Sequence, residues 1–434
     1  MLAGRVIQGI GGGGIFSVNL IILSDIIPLR QRSKYVGITQ LVSSLAVTIG
    51  PIVGGALIKS SWRWLFWVNL PFAGVGMAVI PFLLRYVKAE TTVYNKFGSI
   101  DWTGCGIFIV GASTFLLGIS WGGQQFGWGS SATLVPIILG ALIVVGCLAY
   151  ERYIAHIPFL RLSVFRTKSA IAAYMCTVLA SLTLFAEMYF INLFLLTNKL
   201  YSPLVSATVF LAFAAAVVPV SGITGALITK IGGYRWAVFC GWLIVTFSCG
   251  ALMILSPDAY VPGMIFVMIT AGIGQGLLFM AHQVATQANA HAKDAAYASA
   301  MFSFMRSLGF CLGVALGGTI FSNFLRHRLS AHGLPIEIAD NAEGFAATLK
   351  GMAAGELKTA IIAAYEYAFR NLFATMAGIG ALGFGLSFMI EEATLDVEHD
   401  ASHRFVDHAA PTTEGFPDPE VSLEKRRQSG VNIV

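Results

Sequence analysis

Charge is scarce in this chain. Asp, Glu, Lys and Arg make up 11% of its 434 residues, against about 25% in an ordinary soluble domain. Too few ionised groups remain to coat a soluble particle of this size, so most soluble architectures are excluded. Long polar stretches are missing before the tail, which excludes disorder over most of the length. Cysteine is sparse and unpatterned: Cys105, Cys147, Cys176, Cys240, Cys249 and Cys311 sit in apolar runs with no CxxC spacing. That argues against disulfides and zinc, and reads as small packing residues. The sequence has no HExxH and no P-loop. The chain is therefore read as a non-enzyme without metal or cofactor, and any pumping must draw on a gradient or run passively.

What is present is apolar. Ala, Val, Ile, Leu, Met, Phe, Trp, Tyr and Cys make up 56% of the chain, and mean hydropathy is +0.75. This is an all-α polytopic membrane protein by composition. About eleven runs are long enough to cross roughly 30 Å of hydrocarbon at about 1.5 Å per residue: 3–24, 35–58, 64–84, 103–121, 132–150, 169–196, 204–229, 237–257, 262–282, 297–322 and 371–391. Their apolar residues are continuous and not alternating, so none reads as a strand. The first run carries Arg5 but no early small-residue cleavage site, and is read as a span, not a signal peptide.

The net charge of +5 reads as a topology signal and not as a nucleic-acid footprint. Arg30, Arg32, Lys34, Arg85, Lys88, Lys96, Arg152, Arg161, Arg166, Lys168, Lys230, Arg235 and Lys293 fall in alternate connections, whereas the other short loops hold Lys59, Arg63 and Lys199. The richer set is expected to face the cytoplasm. The tail, 392–434, then lies on the cytoplasmic side and Met1 on the extracytoplasmic side. Its Pro411, Pro417 and Pro419 and its charges predict disorder. The long loop 323–370 lies outside, and its Ala-rich part, Phe345–Tyr367, predicts an amphipathic surface helix. Transporters built from repeated halves usually have even helix counts. Parity therefore predicts an odd number of further helices ahead of Met1.

Polar groups inside apolar runs are the functional candidates. Arg5 and Gln8 precede Gly9 and Gly11–Gly14, a smooth surface for close approach; Arg5 could equally snorkel to the interface. Asp25 with Arg30 and Arg32 forms a cytoplasmic charge cluster, either a latch or an interfacial anchor. Gly50 and Pro51, followed by Gly54 and Gly55, predict a bent helix at a gating contact. Trp62, Trp64, Trp67, Trp121, Trp128 and Trp236 read as interfacial anchors. Glu187 is the single acid well inside a run, near Asn192, and suits a proton or a cationic ligand, or else sits at the outer boundary. Arg306 precedes Gly309, Gly313 and Gly317, which share one helix face and predict a tight contact. Gln275, His282, Gln283 and Gln287 are candidate pore lining.

Several of these strings resemble one family. Arg5-Val-Ile-Gln8-Gly9-Ile-Gly11 and Ser24-Asp25-Ile-Ile-Pro28-Leu-Arg30-Gln-Arg32 are similar to the fourth helix and following loop of major facilitator superfamily drug:proton antiporters. Gly50-Pro51-Ile-Val-Gly54-Gly55 resembles the antiporter signature of the fifth helix. Ser61-Trp62-Arg63-Trp64-Leu-Phe66-Trp67-Val-Asn69-Leu-Pro71, Ile100-Asp101-Trp102-Thr-Gly104 and Trp121-Gly-Gly resemble the fourteen-span branch of fungal efflux pumps. Gly225-Ala-Leu-Ile-Thr-Lys230-Ile-Gly232-Gly-Tyr234-Arg235 looks like the second-half copy of the superfamily's loop motif. The likeness covers about residues 1–391 and implies the superfamily fold, with these spans as the fourth to fourteenth helices and the first three lacking.

By that resemblance 1–84 is the remainder of an N-terminal bundle, 85–168 a linker with two central helices, 169–391 a six-helix bundle, and 392–434 a tail. Arg5, Glu187 and Arg306 become proton-coupling candidates, and Gly50, Pro51, Gly54 and Gly55 the antiporter bend. The implied function is export of small amphipathic molecules (drugs, toxins or secondary metabolites) by proton antiport from the plasma membrane. The partners are the substrate, protons and the bilayer, with no nucleic acid; the oligomeric state stays open, with a monomer favoured. Two alternatives stay open: uptake of a specific solute such as an iron–siderophore chelate, and a truncated membrane protein that does not transport.

Overall fold

The computed structural model describes residues 2–27, 63–83, 101–123, 125–155, 162–257, 259–290 and 294–393, with Ser61 and scattered positions of 35–57. Arg30, Arg32, Pro51, Gly55, Trp62, most of loop 85–102 and all but the first two residues of the tail lie outside the described residues. Twelve α-helices make up the described part: α1 Leu2–Ile26, α2 Trp64–Trp67, α3 Asn69–Leu83, α4 Trp102–Trp121, α5 Ser131–Tyr153, α6 Lys168–Thr197, α7 Pro203–Ile231, α8 Arg235–Leu252, α9 Val261–Ala288, α10 Ala295–Ala331, α11 Ala342–Gly351 and α12 Glu356–Ser387. Short 3₁₀ turns stand at Leu162–Phe165 and Ile336–Ala339. Helix is the expected answer in lipid, where each backbone polar group must be satisfied within its own segment. The helices from α4 to α10 are long and apolar enough to cross a membrane, α10 through its part Tyr297–Ala331.

Local sequence sets where several helices begin and end. Asp101 opens α4 by accepting from the Gly104 amide at 2.8 Å, and Thr167 opens α6 through Ala170 at 3.0 Å. Ser202 caps α7, and Pro203 fills its first turn, where a missing N–H costs nothing. Gly232 stops α7 in the left-handed region at φ 80°, a conformation glycine adopts without a side-chain clash.

Helices α6 to α10 and α12 form one bundle; α4 pairs with α5, and both α1 and α4 pack on α10. The buried core lies almost wholly in the bundle. Trp242, Tyr174, Phe190, Phe213, Phe302 and Phe373 are among its largest enclosed side chains. The segment Ala3–Ile15 of α1 is exposed throughout. Outward residues such as Ile138, Leu142, Phe247 and Phe266 are exposed and apolar, the surface that lipid covers.

Between lipid-facing helices burial supplies little drive, so close packing through small residues must hold them. Gly309, Gly313 and Gly317 supply it. A Cβ on Gly309 would lie 2.5 Å from the Val178 carbonyl, and one on Gly313 2.5 Å from that of Leu182. The glycine face of α10 thus meets the backbone of α6.

Two expected boundaries change. Helix α10 runs past residue 322 because Leu325 and Leu329 remain fully buried. The single surface helix expected over 345–367 is instead broken: α11 ends at Gly351 and α12 starts at Glu356. Met352 is extended at the break, and Lys358 Nζ donates to its carbonyl at 2.9 Å. The long loop is therefore a folded cap. Arg326 pairs with Asp340, Tyr189 donates to Glu343, and Tyr365 donates to the Ala342 carbonyl at 2.7 Å.

The Glu343 carboxyl, on the cap, is pushed above the usual carboxylate range by partial burial. An acid whose folded value is raised binds more protons folded than unfolded. Closing of the cap is then favoured at acid pH and weakens as pH rises through the raised value. Hydrogen exchange of residues 342–351 is expected to be slower, relative to an unstructured peptide at the same pH, near pH 5 than near pH 8. Glu343→Gln should flatten that difference; an unchanged pH dependence would remove Glu343 as its source.

Candidate functional site

Helix α6 is apolar on every side, which places it at the centre of the bundle. Glu187 lies in its second half and is fully buried. Its carboxylate accepts a hydrogen bond from Gln275 Nε2 of α9 at 2.8 Å and one from Cys249 Sγ of α8 at 3.2 Å. The same Gln275 amide donates to Thr183 Oγ1 at 3.2 Å. Three helices thus converge on one carboxylate through donors that are all neutral. A buried ionised carboxylate is costly without a cation, so the arrangement suits an acid that gains and loses a proton.

A small cavity of about 20 Å³, room for about one water, lies between α6, α9 and α10. Thr177, Ser181, Gln275, His282 and Arg306 supply its polar lining, and Phe279 and Phe302 its aromatic walls. The Arg306 guanidinium stacks 4.0 Å from the Phe279 ring centroid and 5.1 Å from that of Phe310, a cation–π arrangement. His282 is fully buried, its ring 5.8 Å from that of Trp242, and among the described residues its Nε2 has no hydrogen-bond partner. Gln275 borders both features: its amide holds Glu187, and its side chain forms cavity wall.

The structure brings Glu187, Gln275, His282 and Arg306 of the sequence candidates into one region. Asn192 is not in that network; its Oδ1 accepts from Ser206 at 2.6 Å and ties α6 to α7. Arg5 is exposed on α1, donates to Gln8 at 3.2 Å and lies 5.0 Å from the Phe66 ring. Gly50 and Gly54 are helical, and Asp25 belongs to α1 by its backbone. Of Gln283 and Gln287, both buried, neither lines the cavity.

Sequence reading missed Thr183, Cys249 and Trp242. Thr183 stands four residues before Glu187, one helical turn, and that spacing is a usable signal. Cys249 is on another helix and carries no signal in the chain order. It also overlooks Gly118-Ile-Ser120-Trp-Gly122, which matches the letters of a nucleophile elbow. Ser120 lies within α4, not on a strand-to-helix turn, so the match has no catalytic context.

The Gly225–Arg235 string ends in a second polar cluster. The Tyr234 hydroxyl donates to the Glu391 carbonyl at 2.7 Å, and its amide to Glu392 at 3.1 Å. Glu391 in turn donates its amide to Ser169 Oγ at 3.0 Å. The turn between α7 and α8 is thereby bound to the end of the α12 segment and the start of α6.

Membrane-length helices, glycine-mediated packing and a buried carboxylate held by neutral donors define a polytopic membrane protein. The Major Facilitator Superfamily model matches residues 1–314, and the chain belongs to that superfamily. It is 36% identical to MFS transporter L2 of a Phoma species, over 93% of this chain and 69% of that one. It is 30% identical to efflux pump FUS6 of Gibberella moniliformis, over 91% and 72%. It is 33% identical to the MFS-type transporter of the acurin A biosynthesis cluster of Aspergillus aculeatus, over 74% and 58%. A solved bacterial homologue of the human lysosomal transporter Spinster, inward-facing and occupied, shares the fold at a TM-score of 0.51 and 17% identity. That likeness covers 86% of this chain and 72% of the other.

Proposed function

We propose that this transporter exports small amphipathic organic molecules of the secondary-metabolite class in exchange for protons. One observation carries the proton part: Glu187 is fully buried and held by the neutral Gln275 and Cys249. The relatives named efflux pump and biosynthesis-cluster transporter support the direction and the substrate class. The motif strings support the fourteen-span branch, with α4 and α5 as its two central helices and α6 to α10 with α12 as its C-terminal bundle. The distribution of Lys and Arg supports an orientation with the tail in the cytoplasm and Met1 on the other side; the plasma membrane is the membrane this reading assigns.

In this mechanism Glu187 is protonated from the outside and releases its proton inside. Gln275 reports that change to the cavity, because its amide serves the carboxylate and also walls the cavity. Arg5, exposed on α1, acts from the other side of the pathway.

The test is transport in oriented vesicles under an imposed pH gradient. Everted vesicles with an acid interior are expected to accumulate a fluorescent amphipathic dye, and right-side-out vesicles under the reverse gradient are not. Accumulation that ignores the gradient would end the proton claim, and uptake only in the inward direction would end the export claim. Arg5→Ala is expected to cut gradient-driven accumulation at least tenfold at equal membrane abundance. Undiminished transport would remove Arg5 from the mechanism.

A further inference from the structure

We infer that the cavity bordered by His282 and Arg306 is the subsite for the acidic head of the exported molecule, so that the substrate class is a weakly acidic, aromatic amphipath. This rests on the export reading and narrows it.

The chemistry of the lining carries the inference. Among the described residues no Asp or Glu lines this cavity. Its ionised group is the Arg306 guanidinium, held in place by Phe279 at 4.0 Å and Phe310 at 5.1 Å. Beside it stands the buried His282 imidazole, whose Nε2 has no partner among the described residues. In a space this apolar an unsatisfied nitrogen is costly and marks a place where a partner arrives. Ser181 and Gln275 add polar capacity, while Phe279 and Phe302, 6.1 Å apart between centroids, offer faces for a flat ring. A cavity of about 20 Å³ admits an oxygen-sized group and not a whole solute, so the body of the ligand must lie beyond it.

Glu187 is spatially next to this subsite but not part of its lining. Gln275 separates them, donating to Glu187 at 2.8 Å.

The test measures binding and not transport. Radiolabelled 1-naphthoate is bound to the full chain in lipid nanodiscs and competed with unlabelled 1-naphthoic acid or its methyl ester, empty nanodiscs serving as the blank. The acid is expected to compete at least tenfold better than the ester. Arg306→Gln should abolish the displaceable binding, Arg306→Lys should retain part of it, and His282→Gln should weaken it several-fold. Size-exclusion profiles establish that each variant is folded, and Arg306→Lys keeps the test valid if Arg306→Gln is not. Equal competition by acid and ester, unchanged binding in the folded Arg306→Gln variant, or no displaceable binding at all would each overturn the acidic subsite. Gradient-driven export of a neutral dye alongside any of these would leave the export reading standing. Acid-selective binding without gradient-driven flux would support the subsite and sink export instead.

Discussion

Glu187→Gln is expected to abolish gradient-driven efflux while leaving the protein folded and at normal abundance in the membrane. The substitution removes titration and little else. A glutamine carbonyl at this position still accepts from Gln275, which now approaches the carboxylate at 2.8 Å, and can still face the Cys249 thiol. The residue is fully buried, so replacing a costly ionisable group by its neutral isostere should not destabilise the bundle. Glu187→Leu is a different experiment. It leaves the Gln275 amide without its main acceptor, an unsatisfied buried donor worth about 1–3 kcal/mol, and should lower abundance as well as transport. The informative readout is therefore the pair: dye accumulation against an imposed pH gradient, and substrate exchange with no gradient. Glu187→Gln should lose the first by at least tenfold and keep the second. Retention of both would show that the coupling proton binds elsewhere, and loss of both at normal abundance would make Glu187 a substrate ligand.

Why Glu187 and Gln275 were legible from the sequence while Cys249 was not follows from how membrane proteins write their chemistry. An acid within an apolar run is expensive anywhere in lipid, so its presence alone signals a function. Gln275, His282 and Arg306 stand out for the same reason. Cys249 does not, because a thiol is at home in an apolar helix, and its role depends on α8 lying beside α6. Asn192 shows the converse. It is close to Glu187 in the chain, yet five residues along a helix turn it to another face, where it meets Ser206. The cap illustrates a third case. The apolar run of α10 fades after residue 322, but Leu325 and Leu329 continue the buried face, and what buries them is a loop whose fold depends on Arg326–Asp340 and Tyr189–Glu343 contacts. The first pair spans 14 residues across a chain reversal and the second 154, so helical periodicity announces neither.

The glycines of α10 were legible as a stripe, and the structure makes their replacement a large stability change in the bundle. Gly→Ala in an exposed helix interior favours the helix by about 1 kcal/mol. At Gly309 and Gly313 that gain meets backbone: a Cβ would lie 2.5 Å from the carbonyls of Val178 and Leu182. A side chain can rotate away from such a clash, but a carbonyl in α6 cannot move without shifting the helix that carries Glu187. Overpacking of this kind costs about 1–3 kcal/mol, and a bulkier side chain costs more. Gly313→Leu is therefore expected to lose folded protein outright, and Gly309→Ala or Gly313→Ala to lower the unfolding temperature in detergent. The control is Gly378→Ala in α12, where no described residue stands within 4 Å of the added carbon; its unfolding temperature should stay level or rise. The two α10 substitutions share one helix contact, so their combined effect should fall short of the sum. Equal behaviour of Gly313→Ala and Gly378→Ala would mean that α6 and α10 are not in backbone contact in the membrane. The geometry of the Glu187 and Arg306 region, which those two helices build, would then have to be redrawn.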